Sequence, residues 1–178
     1  MLAVLIAAAG YWAWREQAQS MQRQAERSLA AVGTLKADQI TTWLWERRGY
    51  AEMVRANPFS SAAVADMLAG RDAGSATTSV QAYLDNCKRN YDYKDVVMTS
   101  PKGAILLSAP EAASGPLSGE TKILVAKAAA TGRVESSDLY VDAAGHAHLD
   151  FVAPVPSAQV GGLSIAAVVL RAYPSRFL

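Results

Sequence analysis

From Arg15 to Asn57 apolar residues recur at helical spacing, and no proline interrupts them until Pro58. Leu29, Val32, Leu35, Ile40, Trp43, Leu44, Ala51 and Val54 fall on one broad face, with Glu46, Arg48, Glu52 and Arg55 on a polar one. The pattern predicts a single long helix. A residue before proline is driven out of the α region, which makes Asn57 the stop, and at 1.5 Å per residue the helix would be about 65 Å long. Only part of such a helix can pack on one small globular body, so the rest is expected to project as a stalk or to pair with a second copy. The rival is two helices broken near Gly33 and Thr34, but an isolated internal glycine costs a helix only about 1 kcal/mol.

Ahead of this run, Met1 to Trp14 holds no charged side chain, and Tyr11, Trp12 and Trp14 cluster before Arg15 as aromatic residues do at a membrane interface. As helix this stretch reaches about 21 Å, against a hydrocarbon core of roughly 30 Å. It is read as part of a membrane anchor with the rest of the chain outside the cytoplasm. One rival is a cleavable signal peptide, for which Ala7 to Ala9 offers a site but the basic start is missing; the other is a buried soluble helix.

Beyond Pro58, Ser60 or Ser61 can cap a short helix through Leu68, with Gly70 at its end. Arg71 to Thr77 reads as a loop. Thr78 or Ser79 can cap a second helix on which Val80, Tyr83, Leu84 and Cys87 form a stripe. The period then changes. Lys94 to Ser100 and Ala104 to Ala109, joined by Pro101, Lys102 and Gly103, predict an antiparallel hairpin. A loop over 110–119 leads to a helix from Glu120 to Ala130, with Ser118 as cap and Gly132 as stop. Three more strands follow, Arg133 to Asp142, His146 to Val155 and Leu163 to Arg171, joined by 143–145 and 156–162. The sum is an α+β fold in which a five-stranded antiparallel sheet packs on the long helix, with short additional helices on one side. Three segments result: 1–14 as anchor, 15–57 as stalk and packing helix, 58–178 as the globular lobe. The apolar end, Ala172 to Leu178, suggests that more protein follows.

Composition narrows the function classes. The chain has 178 residues, 51% of them hydrophobic and 19% charged, enough for one core and against disorder. A formal charge of +1, with arginines spread along the long helix, excludes a phosphate-tracking basic surface, and no nucleic-acid partner is expected. Cys87 stands alone, so it is read as a small core residue. No Walker loop, G-x-S-x-G or H-E-x-x-H occurs, and both histidines lie on one strand, so the chain is not expected to be an enzyme, nor to carry a cofactor.

The order of elements and the run Lys36-Ala-Asp-Gln-Ile-Thr-Thr-Trp-Leu-Trp-Glu-Arg-Arg48, with Asn57-Pro-Phe59 beyond it, resemble the Cache (PDC, PAS-like) extracytoplasmic sensor domains of bacterial histidine kinases, diguanylate cyclases and chemoreceptors. Support comes from Asp138-Leu-Tyr-Val-Asp-Ala-Ala-Gly145, Leu149-Asp-Phe-Val-Ala-Pro-Val155, Gly162 and Ala166-Ala-Val-Val-Leu170. The resemblance covers nearly the whole chain and is to the first lobe of the two-lobed type. It implies a first helix rising from the inner membrane, a periplasmic sheet that forms a ligand pocket, and an output module elsewhere. The family's amino-acid-binding signature is absent: Val80 to Tyr93 has no tryptophan and Val168 to Leu170 no aspartate. The expected ligand is therefore a small polar or carboxylated molecule, and the long helix is expected to pair in a homodimer.

Strand alternation selects the contacts. His146, His148, Asp150 and Val152 share one face and Ala147, Leu149, Phe151 and Ala153 the other, which is the better core face. Ser136, Asp138, Tyr140 and Asp142 share a face on the preceding strand. In a PAS-like sheet one side lines the pocket, so Asp138, Tyr140, His148 and Asp150 are the expected ligand contacts, and Tyr93 could close the same pocket. The simpler reading is a solvated sheet face. His146, His148 and Asp150 offer three metal donors at alternating spacing without a fourth, and no metal site is assigned on that basis. Trp43, Trp45 and Tyr50 are read as helix packing, Arg47 and Arg48 as a charged face, and Asp92 and Asp95 as turn or edge charges.

Overall fold

A computed structural model describes residues 2–109, 116–142, 145–157 and 163–174. The connections predicted over 110–115, 143–144 and 158–162, including Gly162, and the end over 175–178 lie outside the described residues. The chain divides into two compact units, Met1–Trp43 and Leu44–Leu178.

Helix α1 (Leu2–Ala56) is unbroken. Gly33 does not interrupt it, and Thr34 next to it donates its hydroxyl back to the Ala30 carbonyl at 3.0 Å. From Leu29 to Leu35 the predicted apolar face is exposed: Leu29, Val32 and Leu35 are each more than half accessible, as are Tyr11, Trp12 and Trp14. Along α1 the face becomes buried at Trp43, Ala51 and Val54. Among the described residues no helix is long and apolar enough to cross a membrane.

In the second unit, Pro58 ends α1 and opens α2 (Pro58–Leu68), where its missing N–H costs nothing. Ser61 is therefore inside the helix rather than its cap, with its amide and hydroxyl both directed at the Asn57 carbonyl. Helix α3 (Ala73–Tyr91) starts within the predicted loop, from Asp72 in left-handed conformation, so Thr78 is an interior residue bonded to the Gly74 carbonyl. Of the predicted stripe, Val80, Leu84 and Cys87 are buried and Tyr83 is partly buried. Helix α4 (Gly119–Thr131) matches its predicted limits, with Gly132 at φ 65° donating its amide to Ala128.

The strands are β1 (Asp95–Thr99), β2 (Ile105–Ser108), β3 (Glu135–Ser136), β4 (Tyr140–Val141), β5 (Ala147–Pro156) and β6 (Ser164–Ala172). The order β2-β1-β6-β5-β3 is antiparallel throughout, and β4 also pairs with β5. One predicted strand is thus two pieces, because at Ser137 the chain bonds to Asp150 through side chain as well as backbone and leaves regular pairing.

Directly opposed residues share a face. Val97, Val169 and Val152 are opposed in register, and with Ala167 they pack under Leu117, Val125 and Ala128 of the α4 region. The other face carries Val96, Met98, Phe151, Ala153, Val168 and Leu170, all buried, and α2 and α3 also pack on the sheet. Helices therefore cover both faces rather than one. His148 and Asp150 do not lie on a solvated sheet face: they are as buried as their apolar neighbours.

Ser118 ties this core to the polar residues described next. Its hydroxyl accepts the Thr121 amide at 3.0 Å and lies 2.8 Å from the Thr121 hydroxyl. Ser118→Ala is expected to cost about 1 kcal/mol, read as a lower urea midpoint, with Ser118→Asp recovering most of it.

Candidate functional site

The face that α4 covers is apolar at one end and ionic at the other. Asp95, Arg171 and Asp150 stand opposite one another on β1, β6 and β5, next to the valines of the core. Asp150 is fully buried. Its Oδ1 accepts Arg171 Nε at 2.9 Å, and its Oδ2 accepts Thr121 Oγ1 at 2.7 Å, Tyr140 OH at 2.9 Å and Arg171 Nη2 at 3.2 Å. Four donors nearly fill a carboxylate's acceptor capacity. Asp95, buried as well, has Oδ2 3.7 Å from Arg171 Nη1, while its Oδ1 has no hydrogen-bond partner among the described residues.

The electrostatics follow from this packing. Burial would pull Arg171 down, but its hydrogen bonds to Asp150 and the Asp150 charge hold it above its ordinary value. Tyr140 is pushed up to about 12, by burial first and then by the adjacent Asp150 carboxylate, so its phenol stays a donor at neutral pH.

A second, more open cluster adjoins this one across Tyr140, whose ring lies 5.6 Å from that of His148. His148 Nε2 is 2.6 Å from Asp142 Oδ2, and the half-exposed His146 places Nδ1 3.5 Å from the same oxygen. The turn is held by Gly145 at φ 84°, whose amide meets the Asp142 carbonyl, and by the His146 amide on Asp142 Oδ1 at 2.9 Å. Tyr173 stacks on His148 at 4.7 Å between ring centres, and Lys94 caps the same tyrosine, over its ring at 4.3 Å and on its hydroxyl.

Of the expected contacts, Tyr140, His148 and Asp150 come together. Asp138 is exposed on the segment between β3 and β4. Tyr93 is buried elsewhere, its ring 5.1 Å under the Arg47 guanidinium and its hydroxyl directed at the Arg47 carbonyl. Arg47, which also bonds the Tyr91 carbonyl, is an anchor of α1 to the lobe and not part of a free charged face. Trp45 is 71% exposed and so is not the packing residue expected, whereas Tyr50 meets Tyr91 at 4.2 Å. Asp95 is not an edge charge, since β1 lies between β2 and β6. Sequence reasoning missed Arg171 and Thr121. The available signal was charge inside apolar strands: Arg171 follows Ile165 to Leu170 and Asp95 precedes Val96 to Met98, and charges flanked that way are paired when buried.

No protein-family model matches the sequence, and no curated protein does. Solved structures match the fold. The sensor domain of the histidine kinase DctB from V. cholerae superposes with a TM-score of 0.61 at 10% identity, over 80% of this chain and 53% of that one. The ligand-binding domain of the Pseudomonas aeruginosa amino acid chemoreceptor PctC, in complex with GABA, gives 0.54 at 20% identity, over 86% and 62%. That of the Pseudomonas fluorescens chemoreceptor CtaA, in complex with L-serine, gives 0.53 at 18%, over 87% and 62%. This chain thus shares its fold with extracellular sensor domains of histidine kinases and chemoreceptors, and spans little more than half the length of those it matches.

Proposed function

We propose that the chain is the extracytoplasmic small-molecule sensing part of a membrane-bound signal-transduction receptor. The observation that supports this most is the ionic end of the α4-covered sheet face. An apolar core gains little stability from two buried carboxylates around one guanidinium, and in this fold the same face is exposed to a polar rim. Lys94, Tyr140, Tyr173, His146 and His148 supply donors there, suited to a small polar or carboxylated ligand. Asp150 acts by holding Tyr140 and Arg171 in place rather than as a free contact. Asp138 and Tyr93 stand outside this group. The structural relatives bind GABA and L-serine, but the departures at Val80 to Tyr93 and on β6, where Val168 to Leu170 has no aspartate, argue against an amino acid here.

In this reading the segment before Arg15 belongs to a membrane anchor, the lobe is periplasmic, and α1 carries the response. A ligand can shift such an equilibrium only by its differential affinity for the two arrangements. A thermal-shift screen of organic acids and amines against the full chain tests the proposal. A ligand at about a hundred times its Kd stabilises by roughly 2.7 kcal/mol, and Lys94→Met with Tyr140→Phe is expected to abolish that shift. If no class raises Tm at millimolar concentration, the sensing reading fails.

A second reading is supported by the exposed apolar residues of α1, from Tyr11 to Leu35: a dimerisation and spacer module that binds nothing. Replacing Asp138 and Tyr140 in the intact receptor separates the two, since a spacer keeps its signalling and a receptor loses its ligand response.

A further inference from the structure

Asp142, His146 and His148 meet at the turn from β4 to β5, and one donor atom from each lies within 4.8 Å of the others. The His-x-His alternation places both rings on one side of β5, where Asp150 would be the expected third donor. Asp150 is not available, being saturated by Arg171, Thr121 and Tyr140. Its place is taken by Asp142, whose Oδ2 lies near a ring nitrogen of each histidine.

Two donors at ordinary zinc distances and a tetrahedral angle stand about 3.3 Å apart. His146 Nδ1 and Asp142 Oδ2, at 3.5 Å, already have that separation. His148 Nε2 and Asp142 Oδ2, at 2.6 Å, share a proton that a bound cation would displace, and they would open by about 0.7 Å. His148 is 1% exposed, and its polar contact is made by Nε2 on the side of Asp142, so the nitrogen that would take the cation already points at the other two donors. Tyr173, stacked on His148 and edge-on to His146 at 5.9 Å, fixes both rings without using their nitrogens.

We propose that Asp142, His146 and His148 form a site for a divalent transition metal, zinc by ligand chemistry. Two imidazoles and one carboxylate satisfy three of four tetrahedral positions, and the fourth faces the rim because His146 and Asp142 are partly accessible. An open position of this kind takes water or an oxygen of a small carboxylate. Metal binding does not depend on the sensing reading, though it would give that reading's ligand a cationic anchor.

The test is isothermal titration of the metal-free full chain with Zn2+, and with Co2+ for its visible absorption. One Zn2+ per chain is expected, with Co2+ showing the intense bands of a four-coordinate site. His146→Ala, at an exposed position whose backbone amide still reaches Asp142, and Asp142→Asn are each expected to weaken binding at least about tenfold while the metal-free melting temperature of the His146→Ala chain stays unchanged. Absence of Zn2+ binding at 100-fold molar excess, or binding that both variants retain, overturns the site. An organic ligand that raises Tm in a chain that takes up no Zn2+ would leave the sensing reading standing while the metal site falls, and Zn2+ binding in a chain whose Tm no organic ligand raises would do the reverse.

Discussion

Asp150→Ala is expected to cost about 3–5 kcal/mol of folding stability, the range for breaking a buried ion pair from one side. The reason lies in what remains. Of its carboxylate contacts Arg171 keeps the longer one to Asp95 at 3.7 Å, and the hydroxyls of Thr121 and Tyr140 lose a buried acceptor. Asp150→Asn keeps the shape and two acceptor lone pairs but loses the charge, and should fall between the parent and the alanine variant. The pair Asp150→Ala with Arg171→Met provides the check. If the carboxylate matters by compensating the guanidinium, the double variant is more stable than Asp150→Ala alone, and urea midpoints of the four proteins give the coupling directly. Equal losses in Asp150→Ala and in the double variant would show that Arg171 is solvated without Asp150, and the ionic end of the sheet would then be an ordinary rim.

The long helix, the hairpin, α4 with its cap and stop, and the last two strands were legible because each carries a local signal: a period, a proline, a glycine after the last apolar turn. The start of α3 was not, since Asp72 to Thr77 has the composition of a loop and becomes helical only where Ala76 and Val80 are buried. The break between β3 and β4 was hidden for a related reason. It depends on Ser137 bonding to Asp150, which is remote in sequence. The same distinction governs the site. Alternation placed His148 and Asp150 on one face correctly, but which of them is saturated and which faces the rim is decided by Arg171 and Thr121, and their involvement is a matter of register. Asp142 shows the point from the other side: its spacing to His146 and His148 is plain in the sequence, yet only the turn at Gly145 turns that spacing into proximity.

The apolar face of α1 illustrates how far periodicity reaches, because the pattern is continuous while burial is not. Leu170, opposite Val96 and Phe151 at the centre of the sheet, is fully buried, and Leu170→Ala is expected to cost about 2–5 kcal/mol through lost transfer energy and an unfilled cavity. Leu29→Ala removes the same atoms from a residue 73% exposed and should change the stability of an isolated chain by less than about 0.5 kcal/mol. Two leucines, one exposed on α1 and one buried in β6, thus separate folding from association. Melting curves over a hundredfold range of protein concentration give the comparison. If α1 pairs with a second copy through Leu29, Val32 and Leu35, Leu29→Ala lowers Tm at the concentrated end and not at the dilute one, whereas Leu170→Ala lowers it equally at both. A Leu29→Ala chain that melts with the parent at every concentration would remove the dimer and leave the exposed stripe unexplained.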